Sequence, residues 1–196
     1  IVIDDAYIEA IRATLPELPD TRGARFVSEY GLSEYDAGVL VATREMADYF
    51  ETTAKLSGDA KLAANWVSQD LQALLNKHGW ELDESPIQAE RLAMLIQRIK
   101  DNTISGKIAK TVFDAMLDDS SDVDAIIEAK GLKQVTDSGA LESLVDKVIA
   151  ENPDQAQQYR DGKVQVIGFL VGQCMQLSKG KANPAQVNEI LRGKLS

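Results

Sequence analysis

Residues 141–149 read Leu-Glu-Ser-Leu-Val-Asp-Lys-Val-Ile. Leu141, Leu144, Val145, Val148 and Ile149 fall at i, i+3, i+4, i+7 and i+8, which lines them along one broad face of an α-helix. The pattern recurs on both sides. Upstream, Leu92, Leu95, Ile96 and Ile99 form one stripe, and Ile108, Val112, Phe113, Met116 and Leu117 form another. Downstream it repeats in Ile167, Leu170, Val171 and Cys174, then in Val187, Ile190, Leu191 and Leu195. No run of six or more residues alternates as a half-buried strand would. The periodicity predicts an all-α, multihelical protein.

Start and stop signals agree with this. Ser33, Thr43, Asp59 and Ser105 each precede an apolar-periodic stretch and suit N-caps. The helix opened by Asp59 is expected to be long and to carry Trp66, Leu71, Leu74 and Leu75. The one opened by Ser105 is expected to reach about Leu117. Asn152-Pro153 and Asn183-Pro184 put proline at a first helical position, where its missing N–H does no harm. Gly79, Gly131 and Gly180 sit where helices should stop. Leu15-Pro16-Glu17-Leu18-Pro19 cannot be continuous helix, because each proline removes a donor and restricts its predecessor.

The second large break runs from Gly131 to Gly139 and coincides with a change in charge. The whole chain of 196 residues carries 21 Lys/Arg against 31 Asp/Glu, a net charge of −10. Residues 131–196 hold 8 basic and 7 acidic groups, leaving 13 and 24 for residues 1–130, so the two segments carry +1 and −11. A domain boundary is expected at 130/131. It would separate an acidic helical-bundle domain (1–130) from a tail of three to four helices (131–196). A net negative charge argues against nucleic acid, but screening makes the nearest face count for more than the sum. The basic character sits at the C-terminal end, with Arg160, Lys163, Lys179, Lys181, Arg192 and Lys194 against Asp161 and Glu189 from residue 160 onward.

Catalysis finds no foothold in the sequence, and no catalytic or metal-ligating residue is expected. His78 is the only histidine and reads as a helix-end residue before Gly79. The single cysteine, Cys174, excludes an internal disulfide and reads as a buried thiol in a reducing compartment, the cytoplasm by default. No Cys/His group has zinc spacing. Four Gly-Lys pairs occur, yet Asp101, Gln157, Met175 and Asn188 stand where a phosphate-cradling loop needs its earlier glycine. The run Asp118-Asp119-Ser120-Ser121-Asp122 lacks the glycine and closing glutamate of a calcium loop and reads as a solvated turn. No apolar run approaches the roughly 20 residues of a membrane span. The chain begins at Ile1 without a methionine, which suggests an excised piece of a longer protein.

Two features of the tail point to binding. Gly168 and Gly172, four apart in one helix, each cost about 1 kcal/mol relative to alanine. Either another helix backbone or an RNA backbone is expected to approach them closely. Ser178-Lys179-Gly180-Lys181-Ala182-Asn183-Pro184 is a basic, glycine-broken turn leading into a helix N-terminus. It suits a phosphate oxygen, although lysines on such turns commonly serve only solubility.

Several motifs then stand in one order: Leu15 to Pro19, Tyr30-Gly31-Leu32-Ser33-Glu34-Tyr35-Asp36, Asn65-Trp66, Thr103-Ile104-Ser105-Gly106-Lys107-Ile108-Ala109-Lys110 and Gly131-Leu132-Lys133-Gln134. They are followed by Tyr159-Arg160-Asp161-Gly162-Lys163, Gly168-Phe169-Leu170-Val171-Gly172-Gln173 and Gly180-Lys181-Ala182-Asn183-Pro184. Together they resemble the C-terminal region of the B subunit of tRNA-dependent amidotransferases (GatB), and the tail is similar to YqeY proteins. The resemblance spans nearly the whole chain. It implies a helical domain and mobile tail that grip tRNA(Asn) or tRNA(Gln) at the outer corner, so that misacylated Asp-tRNA(Asn) or Glu-tRNA(Gln) reaches a separate catalytic domain. That ligase activity, part of protein biosynthesis, uses ATP and magnesium in a cradle domain that nothing here resembles, so no cofactor is expected in this region. Leu15 to Pro19 would lie near the junction with it. The implied partners are tRNA and the A and C subunits, with no membrane and no DNA. The implied RNA-contact residues are Lys179 and Lys181, then Arg160, Lys163 and Lys133, with Gly168, Gly172 and Asn183. An alternative is a scaffold that mainly docks the A and C subunits.

Overall fold

The computed structural model describes residues 5–135 and 138–196. Among these the secondary structure is helical throughout, with one isolated parallel bridge between Val135 and Ala182. By internal contacts the chain forms two units, one ending at Ala93 and the other running from Met94 to Ser196.

The first unit holds α1 (Asp5–Thr14), α2 (Pro19–Tyr30), α3 (Glu34–Leu40), α4 (Arg44–Ser57), α5 (Ala60–Asn65) and α6 (Gln72–His78). The expected caps form. Asp36 N–H donates to Ser33 Oγ (3.0 Å), Met46 N–H to Thr43 Oγ1 (3.1 Å) and Leu62 N–H to Asp59 Oδ1 (2.9 Å). The helix opened by Asp59 is not uniform: between α5 and α6, Trp66–Leu71 is a π-helical turn. Trp66, Val67 and Leu71 are nonetheless buried, so the wider turn keeps the apolar stripe facing inward. Phe26 and Phe50 meet edge to face at 4.9 Å, with Tyr30 against Phe50 at 5.5 Å, locking α2 to α4. Gly79 closes α6 in the left-handed region, and His78 stacks on Trp80 at 4.2 Å.

Helix α7 (Ala89–Lys100) spans the divide between the units. The second unit continues with α8 (Gly106–Ala115), capped by Ser105, and α9 (Val123–Ala129), then α10 (Ser138–Glu151), α11 (Pro153–Arg160), α12 (Ile167–Leu177) and α13 (Pro184–Leu195). Arg98 ties α7 to α9 by a two-pronged pair with Asp124 (2.5 and 2.8 Å). The expected 130/131 boundary lies inside this unit. The residues after it gather a core of their own: Leu141, Val145, Val148, Ala156, Ile167, Leu170, Cys174, Ala182, Val187, Leu191 and Leu195. Cys174 is fully buried there, which pushes its thiol up to about 11.

Candidate nucleic-acid interface

The basic turn after α12 is built by its backbone. The α12 chain ends at Leu177, and Lys179 and Gly180 both adopt left-handed conformations (φ 53° and 79°). Gly180 N–H reaches back to Met175 O (2.8 Å), Lys181 N–H to Ser178 O (3.1 Å) and Ala182 N–H to Ser178 Oγ (3.2 Å). Glycine holds such a conformation without penalty, whereas a lysine pays for its Cβ. The turn thus keeps a strained lysine at its exposed tip.

The segment from Gly131 to Val135 anchors this turn from one side. Gln134 N–H donates to Thr103 O and Val135 N–H to Lys181 O, both at 2.6 Å. With its amide turned to satisfy both neighbours, Gln134 also donates to Asn102 O (2.9 Å) and accepts from Asn183 N–H (3.2 Å). A Cβ on Gly131 would lie 4.0 Å from Lys181 Nζ, so the Lys181 side chain lies beside this segment and is half-buried. Thr136 and Asp137, within the glycine-bracketed break, lie outside the described residues.

The expected RNA-contact residues separate into four groups. Arg160, Lys163, Lys179 and Lys181 have no carboxylate partner among the described residues, and all but Lys181 are exposed. Lys133 instead pairs with Glu128 (2.9 Å), and the tail's Lys194 pairs with Asp146 (2.7 Å). Asn183 is the N-cap of α13, its Oδ1 accepting from Ala185 N–H (2.9 Å) and Gln186 N–H (3.3 Å). Gly168 and Gly172 are exposed, and a Cβ on either would meet nothing within 4 Å. Of the two accounts of these glycines, close packing against another helix of the chain is therefore not realised among the described residues. Arg160 and Lys163 stand just before α12 and Lys179 just after it. Eleven helical residues separate those ends by roughly 16 Å.

Sequence reasoning missed an ionic cluster in the first unit. Arg22 contacts Asp48 (2.7 Å) and Glu51 (2.8 Å), while Arg25 contacts Glu17 (2.6 Å) and Glu51 (2.8 Å). Hydrogen bonds from Arg25, then from Arg22 and Lys55, hold the Glu51 carboxyl down at about 2, against the opposing cost of burial. The cluster pins the proline-rich segment at Glu17 to α2 and α4. The pairs that join α2 to α4 bring Glu51 to Arg22 and Arg25 from 29 and 26 residues away, so no local pattern reveals the cluster. A cleft of about 570 Å³ in the same unit is lined by Glu45, Asp48, Glu81, Asp83 and Glu90, charges that repel phosphate. Among the described residues no group of three or more His, Cys, Asp or Glu is arranged to hold a metal ion, and no helix is long and apolar enough to cross a membrane.

Fold and site together define a multihelical protein with an acidic first unit and, from Arg160 onward, basic side chains that lack carboxylate partners among the described residues. The sequence profile of the GatB domain matches residues 48–195, and the chain belongs to that GatB/YqeY family. It is 58% identical over its whole length to the B subunit of an aspartyl/glutamyl-tRNA(Asn/Gln) amidotransferase from Ectopseudomonas mendocina (strain ymp). It is 57% identical over 98% of its length to the corresponding protein of Thioalkalivibrio sulfidiphilus (strain HL-EbGR7). In both cases it spans 41% of the relative's length.

Proposed function

We propose that this chain is the tRNA-binding region of an amidotransferase B subunit, with residues 131–196 as the RNA-contacting tail domain. It positions misacylated Asp-tRNA(Asn) or Glu-tRNA(Gln) for transamidation carried out elsewhere in the cytoplasmic complex. One observation carries the reading: in a chain of net charge −10, Arg160, Lys163, Lys179 and Lys181 gather around α12 without carboxylate partners among the described residues. Recognition of a folded tRNA relies on backbone and 2′-OH contacts and on shape, which a sparse cationic surface supplies. The acidic first unit repels phosphate that docks wrongly.

The experiment is fluorescence anisotropy of labelled tRNA(Asn) and tRNA(Gln) transcripts titrated with the chain, beside a non-cognate tRNA. Saturable binding that Lys179→Glu/Lys181→Glu abolishes supports the reading, and absence of binding at tens of micromolar removes it.

A second reading, a scaffold docking the A and C subunits, draws on a different surface. Leu15 and Leu18 are 62% and 69% exposed and border an apolar groove of about 430 Å³ with Val41, Ala42 and Ala47. Exposed apolar patches of this kind mark protein contacts. The two readings draw on residues of different units, and the Lys179/Lys181 variant affects only the first reading.

A further inference from the structure

Helix α12 buries Ile167, Leu170 and Cys174 in the tail core. Its opposite arc is formed by Gly168, Phe169, Gly172 and Gln176, which fall within about 100° of one another at 3.6 residues per turn, and all four are exposed. Phe169 is the one large apolar side chain in that arc, and 46% of it stays accessible to solvent. The core of the tail does not need it there, since the inward face is already filled. Beside the ring, the positions of Gly168 and Gly172 carry no side chain, and among the described residues no atom of another element comes within 4 Å of where their Cβ atoms would be. A flat object can therefore lie against the ring and the bare helix at once. Arg160 and Lys163 lead into this helix and Lys179 follows it, none of them paired with a carboxylate among the described residues.

We propose that Phe169 is a base-stacking residue, receiving an unpaired base of a looped RNA whose phosphates are held by Arg160, Lys163 and Lys179. The inference rests on the RNA reading above and deepens it by naming what contacts a base rather than the backbone. Charge complementarity selects the occupant. An apolar protein surface laid over Phe169 would bury the neighbouring cations without compensation, whereas a nucleotide brings its phosphate with its base. Single-stranded loops are the part of an RNA whose bases can be splayed out onto an aromatic ring. Glycine at 168 and 172 leaves room for the sugar to approach the helix.

The test uses the 196-residue chain and an unmodified tRNA(Asn) transcript, with Kd measured by anisotropy across a range of salt for wild type, Phe169→Ala, Phe169→Leu, Phe169→Trp and Lys163→Gln. Loss of stacking weakens binding by about 5- to 150-fold. Phe169→Ala and Phe169→Leu are expected in that range with the salt slope of wild type. Lys163→Gln is expected to lower the slope by about 0.7–0.9. Phe169→Trp is expected to keep its affinity, and its added indole emission to be quenched when RNA binds. The leucine variant keeps the apolar bulk, so a folding defect in the alanine variant does not decide the outcome. Wild-type affinity in Phe169→Leu, or unquenched emission from Phe169→Trp, overturns the stacking role while leaving RNA binding intact. If wild type fails to bind the transcript at all, the RNA reading falls and this inference falls with it.

Discussion

Replacing Glu51 with glutamine removes the charge from a carboxylate that serves several donors at once. Its oxygens accept from Arg22 Nη2 (2.8 Å), Arg25 Nη1 and Nη2 (2.8 and 3.2 Å) and Tyr30 OH (3.4 Å), and they pair with Lys55 Nζ (3.1 Å). Arg22 and Arg25 also lean over the Phe26 ring, at 5.6 and 5.4 Å from its centre, so the cluster caps the aromatic core between α2 and α4. The folded carboxyl titrates at about 2, well below its ordinary 4.5. Because the folded value is depressed, the stabilisation is fully present above about pH 4.5 and is lost as pH falls toward 2. At about 1.4 kcal/mol per pH unit the ceiling is roughly 3 kcal/mol. Solvent reaches the rim of the cluster, and screening reduces this to about 1–2 kcal/mol. For a unit of 93 residues that is a fall of about 4–16 °C in Tm. Trp66 and Trp80 both lie in the first unit, so tryptophan emission during heating reads that unit. The expected result is a lower Tm for Glu51→Gln at pH 7, with the gap to wild type closing between pH 4.5 and 2. Equal melting at pH 7, or a gap that persists unchanged at pH 2.5, refutes the reasoning.

Other expected outcomes follow from single positions. Gly23 sits inside α2, and a Cβ there would meet only Val41 Cγ2 at an ordinary 3.6 Å, so Gly23→Ala should stabilise the first unit by about 0.5–1 kcal/mol in a denaturant titration. Lys179→Gly should relieve a left-handed lysine, raising tail stability by about 1 kcal/mol while weakening tRNA binding. The opposite signs separate a residue kept for contact from one kept for folding. Asn183→Ala should cost about 1 kcal/mol through the lost cap of α13, seen as faster amide exchange at Ala185 and Gln186.

Much of the fold was legible in sequence because helix formation is signalled locally. The stripe at Leu141, Val145 and Val148 is buried, and Ser33, Thr43, Asp59 and Ser105 accept from N–H groups as expected of N-caps. Pro153 and Pro184 open their helices as expected, and Asn152, ahead of Pro153, turns its side chain back to donate to Val148 O (2.9 Å). The π turn at Trp66–Leu71 was not legible, since one extra residue in a turn leaves an apolar run looking helical. The candidate site was legible as a set of cations and no further. Which lysines are already paired depends on where Glu128 and Asp146 arrive in space, and that places Lys133 and Lys194 apart from Lys163 and Lys179. Gly168 and Gly172 were recognisable as costly, but only the packing shows that no other part of the described chain covers them.

The most direct test of the central claim is the salt dependence of tRNA(Asn) binding by wild type and by the Lys163→Gln/Lys179→Gln double variant. Arg160, Lys163, Lys179 and Lys181 on phosphates predict a wild-type slope of about −3 in log K against log salt, and the double variant should lose about half of it. A slope near zero, or one that the double variant leaves unchanged, would contradict the assignment of RNA binding to this surface.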